Sequence, residues 1–263
     1  MRTSLRDALL RGRRRPRRYG AGSPTNYRGD GYEFVELRAY VPGDDVRRID
    51  WAATARSGEL QTRVVLEDVA LTLAACVDDS PSMRVGRERP LLWAARDAMD
   101  AWFAAARSGD RLFRIAADHA ADPRAAVPEA FDLRAALVTA RAALPRGTAL
   151  LCISDWYDLR GDADDELLAQ LAARFDCTAL IARDPWYDGL PLRGLVRIRG
   201  AEGGELRAYI GRRERERFAS AVREREAAVA ARLDRAGWRV GVLQERGGHE
   251  DLERAFGVRA ASA

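Results

Sequence analysis

The chain has 263 residues, 47% apolar and 32% charged, enough to fill one large α/β domain or two small ones and remain soluble. This composition excludes a wholly disordered chain, a collagen and a disulfide-stapled miniprotein, and no window approaches the ~18–20 consecutive apolar residues of a membrane-spanning helix. The net charge of +4 is unevenly placed: residues 1–18 carry eight arginines against Asp7, a local +7 that leaves −3 for the rest.

Residues 1–31 read as a basic, flexible lead-in, with no apolar h-region after the arginines to suggest a signal peptide. Residues 32–70 are dense in charge and broken by Pro42-Gly43-Asp44-Asp45 and Ser57-Gly58. The alternating stretches Tyr32–Arg38 and Glu59–Leu66 predict strands of a small β-rich subdomain.

From Leu71 onward the pattern changes. Leu71–Val77, Ala149–Ser154 and Cys177–Ala182 are continuous apolar runs, expected of strands buried on both faces. Arg111–Ala116 and Trp238–Leu243 are further strands, and Leu195–Ile198 with Leu206–Tyr209 reads as a hairpin closed by Gly200–Gly204. Helical periodicity marks Pro90–Ala106, Phe131–Leu144, Ala163–Phe175 and Arg212–Ala236. Strands alternating with helices predict a doubly wound, mostly parallel α/β sheet over residues 71–263. Cys76, Cys152 and Cys177 lie within the strands, are odd in number and lack metal spacing; they read as reduced core thiols of a cytoplasmic protein.

In such a sheet, ligands bind beyond the carboxyl ends of the strands. Two of those ends carry oxygen donors, Asp78-Asp79-Ser80-Pro81-Ser82 and Ser154-Asp155. Hydroxyls and carboxylates suit Mg²⁺ rather than zinc. The plain alternative is that Asp78, Ser80, Ser82 and Asp155 are turn and cap residues. Asp79, Trp156 and Tyr157 stand where they could form a partner-binding rim, although the two aromatics could equally pack beneath a loop. Trp51, Trp102, Trp186 and Trp238 read as core or hinge residues. Arg38, Asp44, Asp45, Arg47, Arg48, Asp50 and Arg56 read as a structural ion-pair network rather than a partner-binding patch. His119 and His249 read as surface residues, and the charges of Arg212–Arg235 as a solvated helix face. No residue set has the nucleophile-and-base pattern of an enzyme.

These residues carry a resemblance. Asp-x-Ser-x-Ser after one buried strand and Ser-Asp after another resembles the metal-ion-dependent adhesion site of von Willebrand factor A domains. Upstream, Tyr27-Arg28-Gly29-Asp30-Gly31, Glu33-Phe34, Leu37-Arg38-x-Tyr40, Pro42-Gly43-Asp44-Asp45, Arg48-Ile49-Asp50-Trp51 and Ala55-Arg56, with Asp184-Pro185 further on, resemble the bacterial family named domain of unknown function 58. The resemblance implies that Ser80 and Ser82 bind metal directly and that Asp78 and Asp155 act directly or through water. It implies a third ligand, a Thr, where this chain has Phe131; Asp118 and Asp132 are the residues nearby that could substitute. It also implies a MoxR-type AAA+ ATPase as partner and a chaperone-like adaptor role in assembling, maturing or remodelling a client protein. The chain has no lysine and therefore no Walker-type phosphate loop of its own. Two other functions stay open from the residues alone. One is a Mg²⁺-dependent phosphohydrolase using Asp78 and Asp155. The other is nucleic-acid binding through Arg11–Arg18, which the acidic body and the lack of interleaved aromatics disfavour.

Overall fold

In a computed structural model of the protein, the structure describes residues 4–10, 32–67, 70–116, 120–121, 131–159, 161–199 and 205–258. The arginine run Arg11–Arg18, the Tyr27–Gly31 motif, Asp118, His119 and the Gly200–Gly204 turn lie outside them. The chain divides into two compact units, Arg6–Ala70 and Leu71–Ala263 with Met1–Leu5. Within the lead-in, Leu5–Leu10 forms a short helix, α1, where the sequence suggested no regular structure.

In the smaller unit, β1 (Tyr32–Ala39) pairs antiparallel with β2 (Gln61–Glu67), with a register shift between Phe34 and Glu36. Between them the chain makes a 3₁₀ turn, Val46–Arg48, and a helix not foreseen from sequence, α2 (Trp51–Ser57). The charges of this unit hold its backbone. Asp44 pairs with Arg38 at 2.6 Å and accepts from Val41 N, and both bonds draw its carboxyl below the usual range. Asp45 caps the 3₁₀ turn through Arg47 N. Asp50 caps α2 through Ala53 N and pairs with Arg63 at 2.8 Å, which lowers its carboxyl likewise. Trp51 is 68% exposed, so the core half of its expected core-or-hinge role is corrected.

The larger unit is a doubly wound α/β sheet. Five parallel strands lie in the order β10 (Arg239–Leu243), β7 (Asp176–Ala182), β6 (Ala149–Ser154), β3 (Thr72–Val77) and β4 (Arg111–Ile115). A two-residue antiparallel strand, β5 (Ala120–Ala121), edges β4. Every residue of the central β6 is buried, which is why its sequence is apolar without alternation.

Registers set the two faces. Ala74, Cys76, Leu150, Cys152, Cys177, Ala179 and Ile181 share one core with α4 (Leu133–Ala143), α5 (Asp162–Ala172) and α6 (Arg212–Arg235). The buried Leu133, Ala136, Leu137 and Ala140 recur at the helical interval along α4, and Asp132 caps it through Ala135 N. On the opposite face lie α3 (Leu91–Ala104) and α7 (His249–Ala255), joined by the Trp102–Phe256 ring contact at 5.9 Å. Gly241 in β10 permits α7 to approach, since a Cβ there would stand 2.6 Å from Ala255 Cβ. An isolated hairpin, β8 (Gly194–Arg199) with β9 (Glu205–Ile210), precedes α6. Charged side chains of α6 bond other elements as well as their own helix: Glu226 accepts two bonds from Arg183, which follows β7, and Arg232 reaches Asp165. Among the described residues no helix is long and apolar enough to cross a membrane.

Candidate functional site

Strands β3 and β6 are neighbours, with Val77 opposite Ile153. Asp78 N donates to Ile153 O at 2.9 Å, carrying the ladder one residue past the strand. The two loops that follow therefore leave the carboxyl edge of the sheet side by side.

Asp78 is almost fully buried, 2% exposed. Its Oδ2 accepts from Ser154 Oγ at 2.7 Å and its Oδ1 from Ser80 N at 2.8 Å, so the carboxylate is not left without partners in the interior. Ser80 is extended and precedes a 3₁₀ turn, Pro81–Arg84, in which Pro81 fixes the first φ and Met83 is buried. This turn brings Ser82 back to Ser80, with the two Oγ atoms 2.9 Å apart. The Ser82 side chain also faces the Asp155 carboxyl and acts to lower its pKa, and Asp155 Oδ1 accepts from Tyr157 N at 3.1 Å. Asp78, Ser80 and Ser82 thus form one hydrogen-bonded chain, with Ser154 bonded to Asp78 behind it and Asp155 beside Ser82. Burial pushes the Asp155 carboxyl up, outweighing Ser82 and the bond from Tyr157 N, and the Asp78 and Asp158 charges add to the rise.

These residues fit a small hard cation. Mg²⁺ binds oxygen octahedrally at 2.0–2.1 Å, so neighbouring ligands stand ~3.0 Å apart. The Ser80–Ser82 spacing of 2.9 Å matches that edge. Phe131 packs half-buried against the core and offers no oxygen, and Asp132 is occupied as the cap of α4. Mg²⁺ keeps several of its waters, so two hydroxyls with carboxylates to receive those waters make a suitable donor set. Among the described residues no three His, Cys, Asp or Glu side chains gather as a metal cluster of their own.

The expected rim is only partly present. Asp79 pairs with Arg84 at 2.8 Å and lies 3.9 Å from Arg96. Tyr157 is half-buried with the Arg225 guanidinium 3.3 Å over its ring. Trp156 is not at the rim, and that expectation is corrected. It is 3% exposed, adopts φ 61°, packs edge-on against Trp238 at 5.6 Å and donates to Leu180 O. The left-handed backbone turns its indole under the loop into the core.

Sequence reasoning missed a cleft of about 720 Å³ that opens beside the site. Ser82, Asp155 and Tyr157 form one end of it. Its other walls come from Leu91 at the start of α3, the β7–β8 connection, the hairpin and α6. No local pattern announces a surface drawn from segments so far apart in the chain.

The sequence profile of the family described as "Protein of unknown function DUF58" matches residues 36–121 and 87–228. Uncharacterized proteins of Mycobacterium bovis and Mycobacterium tuberculosis are each 33% identical over 230 residues, covering 77% of this chain and 71% of theirs. Two solved structures are also similar. The conserved hypothetical protein BatB from Bacteroides thetaiotaomicron has 15% identity and a TM-score of 0.36, covering 64% of this chain and 99% of its own. An aerotolerance-related membrane protein from Bacteroides fragilis has 14% identity and a TM-score of 0.45, covering 72% and 98%.

Proposed function

The chain belongs to the family described as Protein of unknown function DUF58, and from that membership and the strand-edge geometry we propose a non-enzymatic, protein-binding adaptor of von Willebrand factor A-like build. The observation that carries this reading is the bonded chain from Asp78 through Ser80 to Ser82, with its 2.9 Å hydroxyl pair and Asp155 beside it. In this reading Ser80 and Ser82 hold Mg²⁺ in a partial metal-ion-dependent adhesion site, and Asp78 and Asp155 orient its waters. The ion supplies a positive centre to which a partner's carboxylate can bind. Buried, reduced thiols at Cys76, Cys152 and Cys177 suit a cytoplasmic setting.

On the family resemblance, the proposed partner is a MoxR-type AAA+ ATPase, which supplies ATP-driven work while this chain selects the client in a chaperone-like role. The test is a pull-down of the MoxR-type ATPase encoded nearest this chain's gene, by wild-type protein and by Asp78→Ala, in Mg²⁺ and in EDTA. Capture in Mg²⁺ that is lost in EDTA and in the variant is the expected result. Equal capture under all conditions removes the metal-bridged version, and no capture removes the pairing with the ATPase.

A further inference from the structure

The cleft beside the metal site has a composition of its own. Met83, Leu91, Trp186, Ile198, Leu206 and Phe218 give it apolar walls, while Ser82 and Asp155 belong to both cleft and site. One bound segment can therefore touch both. The volume of about 720 Å³ falls within the usual range for ligand pockets and equals roughly two dozen waters. Leu206 is 60% exposed on the hairpin, an apolar wall still facing solvent.

Charge narrows the occupant. The ionisable groups lining the cleft away from the site are Asp184, Glu214 and Arg197. Arg197 is paired with Glu205, so the cleft presents acid. Asp184 accepts from Trp186 N at 2.7 Å and Glu214 from Gly211 N at 3.0 Å, which fixes both carboxylates in place. A carboxylate is welcome at the cation and repelled a few ångströms further on.

We propose that the cleft receives a large apolar side chain from the same partner segment whose carboxylate reaches the metal site. The recognised motif is then one acidic residue with a bulky aliphatic or aromatic residue nearby and no second acid between them. This rests on the protein-binding reading above and deepens it by naming the chemistry of the partner segment.

The test selects a phage-displayed random 12-residue peptide library on the full chain in Mg²⁺ and measures the selected peptides as synthetic fluorescent ligands. The expected consensus is a single Asp or Glu within about three residues of Leu, Ile, Phe or Trp. Leu206→Gln should weaken those peptides about tenfold or more while Mn²⁺ affinity stays unchanged. Leu195→Gln, 81% exposed at a hairpin position of opposite parity and outside the cleft lining, should leave them unchanged. An acidic consensus without an apolar position, or wild-type affinity in Leu206→Gln, overturns the cleft proposal and leaves the metal reading standing. Peptides that bind equally in EDTA overturn the metal reading, and the proposal with it.

Discussion

Ser154 Oγ donates to Asp78 Oδ2 at 2.7 Å, a buried bond between residues 76 apart in sequence. It ties the ends of two adjacent strands at the point where the candidate site begins. Ser154 also accepts from Trp156 N at 3.0 Å, so one hydroxyl sets both loops.

Ser154→Ala removes that hydroxyl and leaves the buried Asp78 with one donor fewer. A hydrogen bond to a charged group contributes about 1.5–3 kcal/mol. A loss of this size is expected in urea denaturation, with weaker Mg²⁺ binding by the folded protein. A variant as stable as wild type would show that Asp78 does not depend on this bond.

Asp155→Asn separates folding from metal binding. Burial raises the Asp155 carboxyl pKa above its ordinary 3.8, so the folded state holds the proton more tightly than the unfolded state does. Stability therefore falls as pH rises from 3.8 through the folded value, and at neutral pH the ionised group is a cost. In EDTA at pH 7 the Asn variant should melt higher than wild type. Added Mg²⁺ should stabilise wild type, by about 2.7 kcal/mol at a hundredfold excess over Kd, and the variant far less. The same Mg²⁺ response in both would remove Asp155 from the site.

The pair Asp97–His249 makes the tie between α3 and α7 sensitive to pH. The hydrogen bond to Asp97, 3.0 Å from Nδ1, raises His249 above 6.5 against the opposing burial, and the Asp97, Glu250 and Glu253 charges add to the rise. Burial alone would raise Asp97; the bonds from His249 N and its ring, with the Arg89 charge, leave it lowered instead. The His249 contribution is complete below pH 6.5 and is lost as pH climbs through the raised value. The Asp97 contribution is complete above 3.8 and is lost as pH falls through the lowered value. Comparing wild type with His249→Gln from pH 5 to 9 should show the largest stability difference near pH 5–6, shrinking in alkali. A gap that does not vary with pH would mean the ring bond adds nothing.

Gly241→Ala tests the seat of α7. The new methyl would stand 2.6 Å from Ala255 Cβ and 2.8 Å from Leu180 Cδ2. Overpacking of this kind costs about 1–3 kcal/mol. A lower melting temperature with near-normal peptide binding is expected, because the candidate site lies at other strands.

The parallel strands were readable because burial on both faces leaves an unmistakable apolar run, as in Leu150, Leu151, Cys152 and Ile153. Helix α2 was not, because only Ala53 of its seven residues is buried and it has no apolar stripe to read. Helix α7 hides for another reason: its buried positions include Asp251, a polar letter held inside by bonds to Gln244 N and Arg254. Asp78 and Asp155 could be picked out as strand-end acids. Their convergence at Ser82, and the Ser154 tether, depend on the β3–β6 register, which no local pattern states. Trp156 was misplaced at the rim because its left-handed φ belongs to the folded loop and not to residue preference.

Cys76 and Cys152 face each other across β3 and β6, with Cys177 on the next strand and on the same side of the sheet. Burial raises the Cys152 and Cys177 thiols, so little reactive thiolate forms while the sheet is intact. An alkylating reagent reaches them only when that face opens, and the rate of label uptake is a built-in clock for how often the domain comes apart.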